Sequence, residues 1–142
     1  MGTGRSELVN KEYTLAAMST SRFPCPCCGY QTFPEAPGSQ LICPVCFWED
    51  DIMQLRWPLM QGGANSSNLV DSQKNYQRLG AREARLVTKV RAPLEPEGRE
   101  ELWRPVNLKL DNFEETLVVS SPWPTDRTVL YWWSGRYWRL KA

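Results

Sequence analysis

Two C-x-x-C pairs constrain the fold of this chain more than any other feature. They read Cys25-Pro26-Cys27-Cys28-Gly29-Tyr30 and, after fourteen intervening residues, Cys43-Pro44-Val45-Cys46-Phe47. A C-x-x-C turn aims both sulfurs at one point, and a second turn arriving from the far end of a hairpin completes a tetrahedron. Cys25, Cys28, Cys43 and Cys46 are the expected ligands of a single ion. Gly29 follows the first pair, where a positive φ lets backbone N–H groups turn toward sulfur. Phe47 holds the equivalent place after the second pair, so a less regular turn is expected there.

The chain contains no histidine. His-containing metal sites, Ser-His and Cys-His nucleophile pairs and imidazole acid–base catalysis are thereby excluded. A closed four-cysteine shell also leaves no open position for an activated water, so the metal is expected to be structural and the chain not an enzyme. A disulfide framework does not fit, because five cysteines are an odd number and no secretory signal is visible. Zinc is the expected ion, although iron in a rubredoxin-like site uses the same ligand set. Cys27 is left over, either an incidental residue or a redox-reactive thiol activated by the nearby cation.

The 142 residues suit one compact domain or a small metal module with an appended unit, and a net charge of +1 gives no global basic field. No apolar run approaches the ~20 residues needed to cross a membrane, and a cytoplasmic location is expected. Residues 1–22 read as a polar tail, in which 8–18 is a candidate short helix and Met18 an alternative start. Residues 23–52 read as a zinc-ribbon hairpin with strands at 30–33 and 40–42, too small to fold without its metal. Glu49-Asp50-Asp51 is an acidic contact surface, a catalytic carboxylate cluster holding a metal, or a charged turn capping a helix at Ile52. Beyond the Gly62-Gly63-Ala64-Asn65 turn, Ser66, Ser67 and Asn68 are candidate N-caps. Leu69, Tyr76, Leu79, Leu86 and Val90 share one helical face, Gly80 is a candidate helix end, and a shorter helix is expected over 82–89. From residue 94 the pattern predicts strands at 106–110, 116–120, 128–133 and 136–140, with Ser134-Gly135 as the last hairpin turn. The expected fold class is α+β: a small zinc-ribbon-like hairpin carrying the four cysteines, a helical segment and a C-terminal antiparallel β unit, divided as 1–22, 23–93 and 94–142.

The strings CPCCGY at 25–30, ICPVCFWEDD at 42–51 and GGAN at 62–65, with Asn75-Tyr76 and Gly80-Ala81 beyond, resemble the bacterial cysteine-rich CPCC family. The resemblance spans 23 to about 93, roughly half of the chain. It implies a small intracellular metal-binding module with Cys25, Cys28, Cys43 and Cys46 as ligands, and it brings no established activity.

Two surfaces are candidates for binding. Lys74, Arg78, Arg82, Arg85 and Lys89 would form a basic stripe on one continuous helix, able to track phosphates or an acidic partner, unless they are merely its solvated side. Seven tryptophans are a heavy load, with Trp132, Trp133 and Trp138 in the last hairpin. Strand alternation would send Trp132 and Trp133 to opposite faces, one as a contact surface unless both sides are covered. The leading expectation is a non-enzymatic zinc-binding protein that recognises another protein, in one form an immunity- or antitoxin-like inhibitor. A nucleic-acid-binding zinc ribbon and a thiol-redox protein using Cys27 are the alternatives.

Overall fold

Each C-x-x-C turn closes on its own flanks. In the computed structural model, which describes residues 22–115 and 121–140, Phe23 N donates to Phe33 O at 2.8 Å and Phe33 N returns to Phe23 O at 3.2 Å. Around the second turn Cys43 N donates to Trp48 O at 2.8 Å and Asp50 N to Leu41 O at 2.8 Å. The expected pairing of 30–33 with 40–42 is absent. Gly38 and Gln40 stand at φ of 92° and 65°, left-handed values that interrupt an extended run between them. Local closure also costs less chain entropy than joining the two turns edge to edge.

The α+β expectation is overturned. Among the described residues there is no β-strand, only isolated antiparallel bridges at Phe23–Phe33, Tyr30–Arg99 and Ile42–Glu49. The C-terminal antiparallel β unit is replaced by consecutive turns. Tyr131, Ser134, Tyr137 and Leu140 each donate their N–H to the carbonyl three residues back, and Arg127–Leu130 is a 3-10 helix. Ser134-Gly135 therefore starts another turn and joins no hairpin, and 106–110 curls around Asn107. The expected strand at 116–120 and the helix at 8–18 lie outside the described residues. Aromatic and β-branched composition favours strands only where a partner edge is available. Here the aromatics find their partners elsewhere: Tyr131 Oη donates to Pro24 O at 3.0 Å, beside the first cysteine turn, and Trp132 Nε1 to Arg104 O at 3.1 Å.

Two α-helices frame the cysteine turns. Asp51 caps α1 (Ile52–Arg56), accepting from Met53 N at 2.8 Å, while its other oxygen accepts from Ala64 N at 2.8 Å. The acidic turn thus acts as a cap that also pins the glycine turn. Asn65 completes the lock, accepting from Glu49 N at 2.8 Å and donating to Glu49 O at 2.9 Å and Gln54 Oε1 at 3.0 Å. Asp50 is buried, held by Ser39 N at 3.0 Å and Ser39 Oγ at 2.6 Å, and burial raises its pKa.

Asn68 caps α2 (Leu69–Leu79), and Gly80 ends it at φ 84° with its N–H on Tyr76 O. The buried side of α2 is Leu69, Val70, Ser72 and Gln73. Leu79 is 40% exposed, so the expected apolar face does not run on into 82–90, where a 3-10 helix (Ala84–Lys89) takes over and buries Leu86. The core is centred on the cysteines, with Phe33, Val45, Trp48, Leu55, Leu69 and Leu130 around them.

Candidate metal centre

The two cysteine turns are built alike. In the first, Gly29 N donates to Cys25 O at 2.7 Å and Cys25 N to Tyr30 O at 2.9 Å; in the second, Phe47 N donates to Cys43 O at 2.8 Å and Cys43 N to Trp48 O at 2.8 Å. Gly29 has φ 84° and Phe47 has φ 72°. The second turn is therefore as regular as the first, against expectation, with Phe47 carrying a left-handed backbone that costs a non-glycine residue about 1–2 kcal/mol.

All four side chains converge. The Sγ atoms of Cys25, Cys28, Cys43 and Cys46 lie within 4.8 Å of one another, and each residue is 0% exposed. A tetrahedral ion with metal–sulfur bonds of about 2.3 Å requires sulfur–sulfur edges of about 3.8 Å. The Cys25–Cys46 and Cys28–Cys43 separations are 3.6 and 3.8 Å. These distances are far longer than a disulfide bond, and all five cysteines are free thiols. The donor set, its spacing and its burial fit a metal ion.

Without an ion, burial pushes the Cys25, Cys28 and Cys46 thiols up. Burial also opposes ionisation at Cys43. There, however, hydrogen bonds from Cys25, Cys28, Cys46 and Thr32 prevail and hold its pKa well below the ordinary thiol value; Thr32 Oγ1 donates to Cys43 Sγ at 3.1 Å. A cation entering the cluster has to displace thiol protons, so its affinity falls as pH drops.

Carbonyls of both turns are braced from outside. Pro26 O accepts from Gln73 Nε2 at 2.9 Å and from Trp103 Nε1 at 3.0 Å, while Cys28 O accepts from Arg99 Nε at 3.0 Å. The Arg99 guanidinium lies 4.8 Å from both the Tyr30 and Trp103 ring centroids. On the second turn, Arg82 N donates to Cys46 O at 2.8 Å, Arg82 Nε to Phe47 O at 2.9 Å and Arg91 N to Pro44 O at 3.1 Å. Arg91 is held in turn by two bonds to the buried Glu97, at 2.8 and 3.0 Å. Sequence reasoning missed Gln73, Arg91, Arg99 and Trp103 as supports of the site; a glutamine on the buried face of α2 was the readable signal.

A Cβ on Gly29 would lie 2.6 Å from the Trp103 indole, on top of the φ of 84°. Gly29→Ala is expected to cost about 1–2 kcal/mol in backbone strain and a further 1–3 kcal/mol, roughly, in overpacking. Gly135→Ala, with open space around it, should leave the urea midpoint nearly unchanged. Equal midpoints for the two variants would contradict this account.

The remaining sequence-selected residues separate into two groups. Arg82 is buried and paired with Glu83 at 3.1 Å, and Arg85 is paired with the same carboxylate at 2.7 Å. Lys74, Arg78 and Lys89 are exposed, but Gly80 ends α2 between them, so no continuous helical stripe forms. Trp132 is buried, and Trp133 stacks on Tyr131 at 4.4 Å and meets Trp132 edge-on at 4.7 Å, so the two tryptophans share one cluster and do not face opposite ways. Trp138 lies against Arg56 at 4.6 Å. Cys27 is fully buried, in the same core cluster as the four converging cysteines.

Among the described residues no helix is long and apolar enough to cross a membrane. No curated protein matches the chain. A family profile described as Cysteine-rich CPCC matches residues 23–97, which takes in both cysteine turns, the Asp51–Asn65 lock, α2 and the Arg91–Glu97 clamp. Since that match covers more than half of the chain, the protein belongs to the cysteine-rich CPCC family.

Proposed function

We propose that this protein is a non-enzymatic, zinc-stabilised module that acts by binding another protein. The observation that carries the reading is the closed set of four buried thiols at tetrahedral spacing. Four protein ligands fill the coordination sphere of zinc and leave no place for a substrate or an activated water, the pattern of structural sites. Cys25, Cys28, Cys43 and Cys46 would hold the ion, which when bound cross-links the two turns. Metal analysis by mass spectrometry on purified protein, with each of the five cysteines changed to serine in turn, tests this. One zinc per chain is expected, lost or weakened in four variants and kept by Cys27→Ser. Iron in its place would change the ion, whereas no metal, or dependence on Cys27, would make thiol chemistry the better account.

The absence of any histidine, together with the closed shell, favours binding over catalysis. An immunity- or antitoxin-like inhibitor of one cognate partner is the narrower form of the proposal. Asp50 and Asp51 are occupied by internal bonds, so the partner surface must lie elsewhere. A pull-down from native extract that finds no stoichiometric protein partner would defeat this reading. A nucleic-acid-binding role loses support from the burial of Arg82, and it predicts oligonucleotide affinity that falls steeply with salt. A redox role for Cys27 is opposed by its burial; selective alkylation of that thiol in the metallated protein would revive it.

A further inference from the structure

The loop from Arg104 to Asp111 uses many bonds to hold apolar side chains in water. The Asp111 carboxylate takes Arg104 Nη1 at 2.9 Å, Arg104 Nη2 at 2.6 Å and Asn107 N at 2.7 Å. Asn107 O receives Leu110 N at 3.0 Å and Asp111 N at 2.8 Å, and Asn107 Oδ1 receives Lys109 N at 3.0 Å. The scaffold is closed on itself, yet Leu108 is 53% and Leu110 is 70% exposed. Between this loop and α2 lies an open concavity of about 640 Å³ lined by Val70, Val106, Leu108 and Leu110. Lys74 stands on the α2 side and Lys109 on the loop side. Both are exposed, and neither has an ion pair among the described residues. Arg104 adds no net charge, because Asp111 neutralises it.

We propose that this groove is the docking site for an acidic, leucine-containing segment of a protein partner, an inference that rests on the protein-binding reading above. An apolar floor between two exposed ammonium groups matches a segment whose apolar side chains point inward and whose carboxylates flank them. A pre-formed loop reduces the ordering cost of binding. A nucleic acid is the poorer fit, since phosphates would meet the lysines but gain nothing from two exposed leucines.

The test uses the full chain in its metal-bound form and a labelled twelve-residue peptide of glutamate and leucine at helical spacing. Two controls accompany it, one with lysine for every glutamate and one with serine for every leucine. Binding is followed by anisotropy and by amide chemical shifts. The acidic, leucine-containing peptide should bind at least tenfold more tightly than either control and shift resonances of 70–74 and 104–110. Leu110→Ser should weaken it about fivefold and Lys74→Glu with Lys109→Glu at least tenfold. Leu140→Ser, at another exposed leucine, should leave it unchanged. Equal binding by all variants, shifts elsewhere, preference for an oligonucleotide, or self-association lost with Leu110→Ser would each overturn the proposal. A photo-cross-linker at residue 110 or 140 of the full chain in native extract separates the two levels of failure. Cross-links to protein at 140 alone would overturn the groove and leave protein binding standing, while none at either position would overturn both.

Discussion

Changing Cys46 to serine, or stripping the bound ion with a chelator, is expected to unfold the whole described structure and not merely one turn. The four thiols are the centre of the core, and each turn is an attachment point for distant chain. The first holds Gln73, Arg99 and Trp103 through the Pro26 and Cys28 carbonyls, and the second holds Arg82 and Arg91. The structure has no sheet among its described residues to carry the load in the metal's absence. Structural zinc contributes apparent binding free energies of about 10–16 kcal/mol in small zinc modules. That is as large as the entire net stability of an ordinary domain, roughly 5–15 kcal/mol. Tryptophan fluorescence and near-ultraviolet circular dichroism should therefore collapse together as chelator is added, and recover when zinc is returned. Acid should release the ion in the same way, since burial disfavours the thiolate at Cys25, Cys28 and Cys46 and protons compete with the metal for the sulfurs. Cys27→Ser should keep the ion and the transition. A cooperative transition that persists in metal-free Cys46→Ser would show that the hydrophobic core suffices alone and refute this account.

The cysteine site was legible because its information is local: two C-x-x-C spacings and one glycine define the thiols without knowledge of the rest. The Asp51 cap and the Gly80 stop were legible for the same reason, each acting on its immediate neighbours. What escaped were groups whose partners lie far along the chain. Gln73 bridges Pro26 O and Val106 N, Gln54 and Asn65 tie two turns together, and Arg82 leaves its place in a basic stripe to serve a cysteine turn. Each looks like an ordinary polar surface residue until the fold buries it. The C-terminal strands failed differently. Aromatic density at 130–138 signals burial, and burial is found, but a period of two cannot be told from a string of three-residue turns when Gly135 interrupts so short a run. Trp132, Trp133 and Trp138 lie in or against the core that holds the cysteines, whereas Leu108 and Leu110, which the alternation at 106–110 marked as one face of a strand, stand exposed on a loop.

Arg56→Ala is expected to cost about 3–5 kcal/mol, the typical penalty for breaking a buried ion pair by removing one partner. Arg56 is 2% exposed at the end of α1. Its Nε donates to the Glu114 carboxylate, its Nη2 donates to Ser121 O at 2.9 Å, and its guanidinium lies 4.8, 4.4 and 4.6 Å from the rings of Trp57, Trp123 and Trp138. One side chain therefore gathers distant segments of the chain around a single positive charge. Lysine should not rescue it, because an ammonium lacks the flat fork that bonds a carboxylate and a carbonyl while presenting a face to indole rings. The arrangement also makes a sharper claim than instability. If Glu114 depends on the Arg56 charge, Glu114→Gln alone should cost less than Arg56→Ala, and the double variant should cost less than the two single effects added together. Urea midpoints and slopes for the three proteins decide it. Strict additivity would mean that the rings and the Ser121 carbonyl hold Arg56 and that the carboxylate is incidental. Positive coupling would make the Arg56–Glu114 pair the electrostatic tie between the family module and the C-terminal turns, as a metal held by the four cysteines would be within the module. The groove between α2 and the 104–111 loop should survive Arg56→Ala less well than the cysteine site does, because Phe113 and Glu114 follow that loop directly, while a metal ion would fix the four clustered thiols. Loss of peptide binding with zinc retained is the signature expected of this variant.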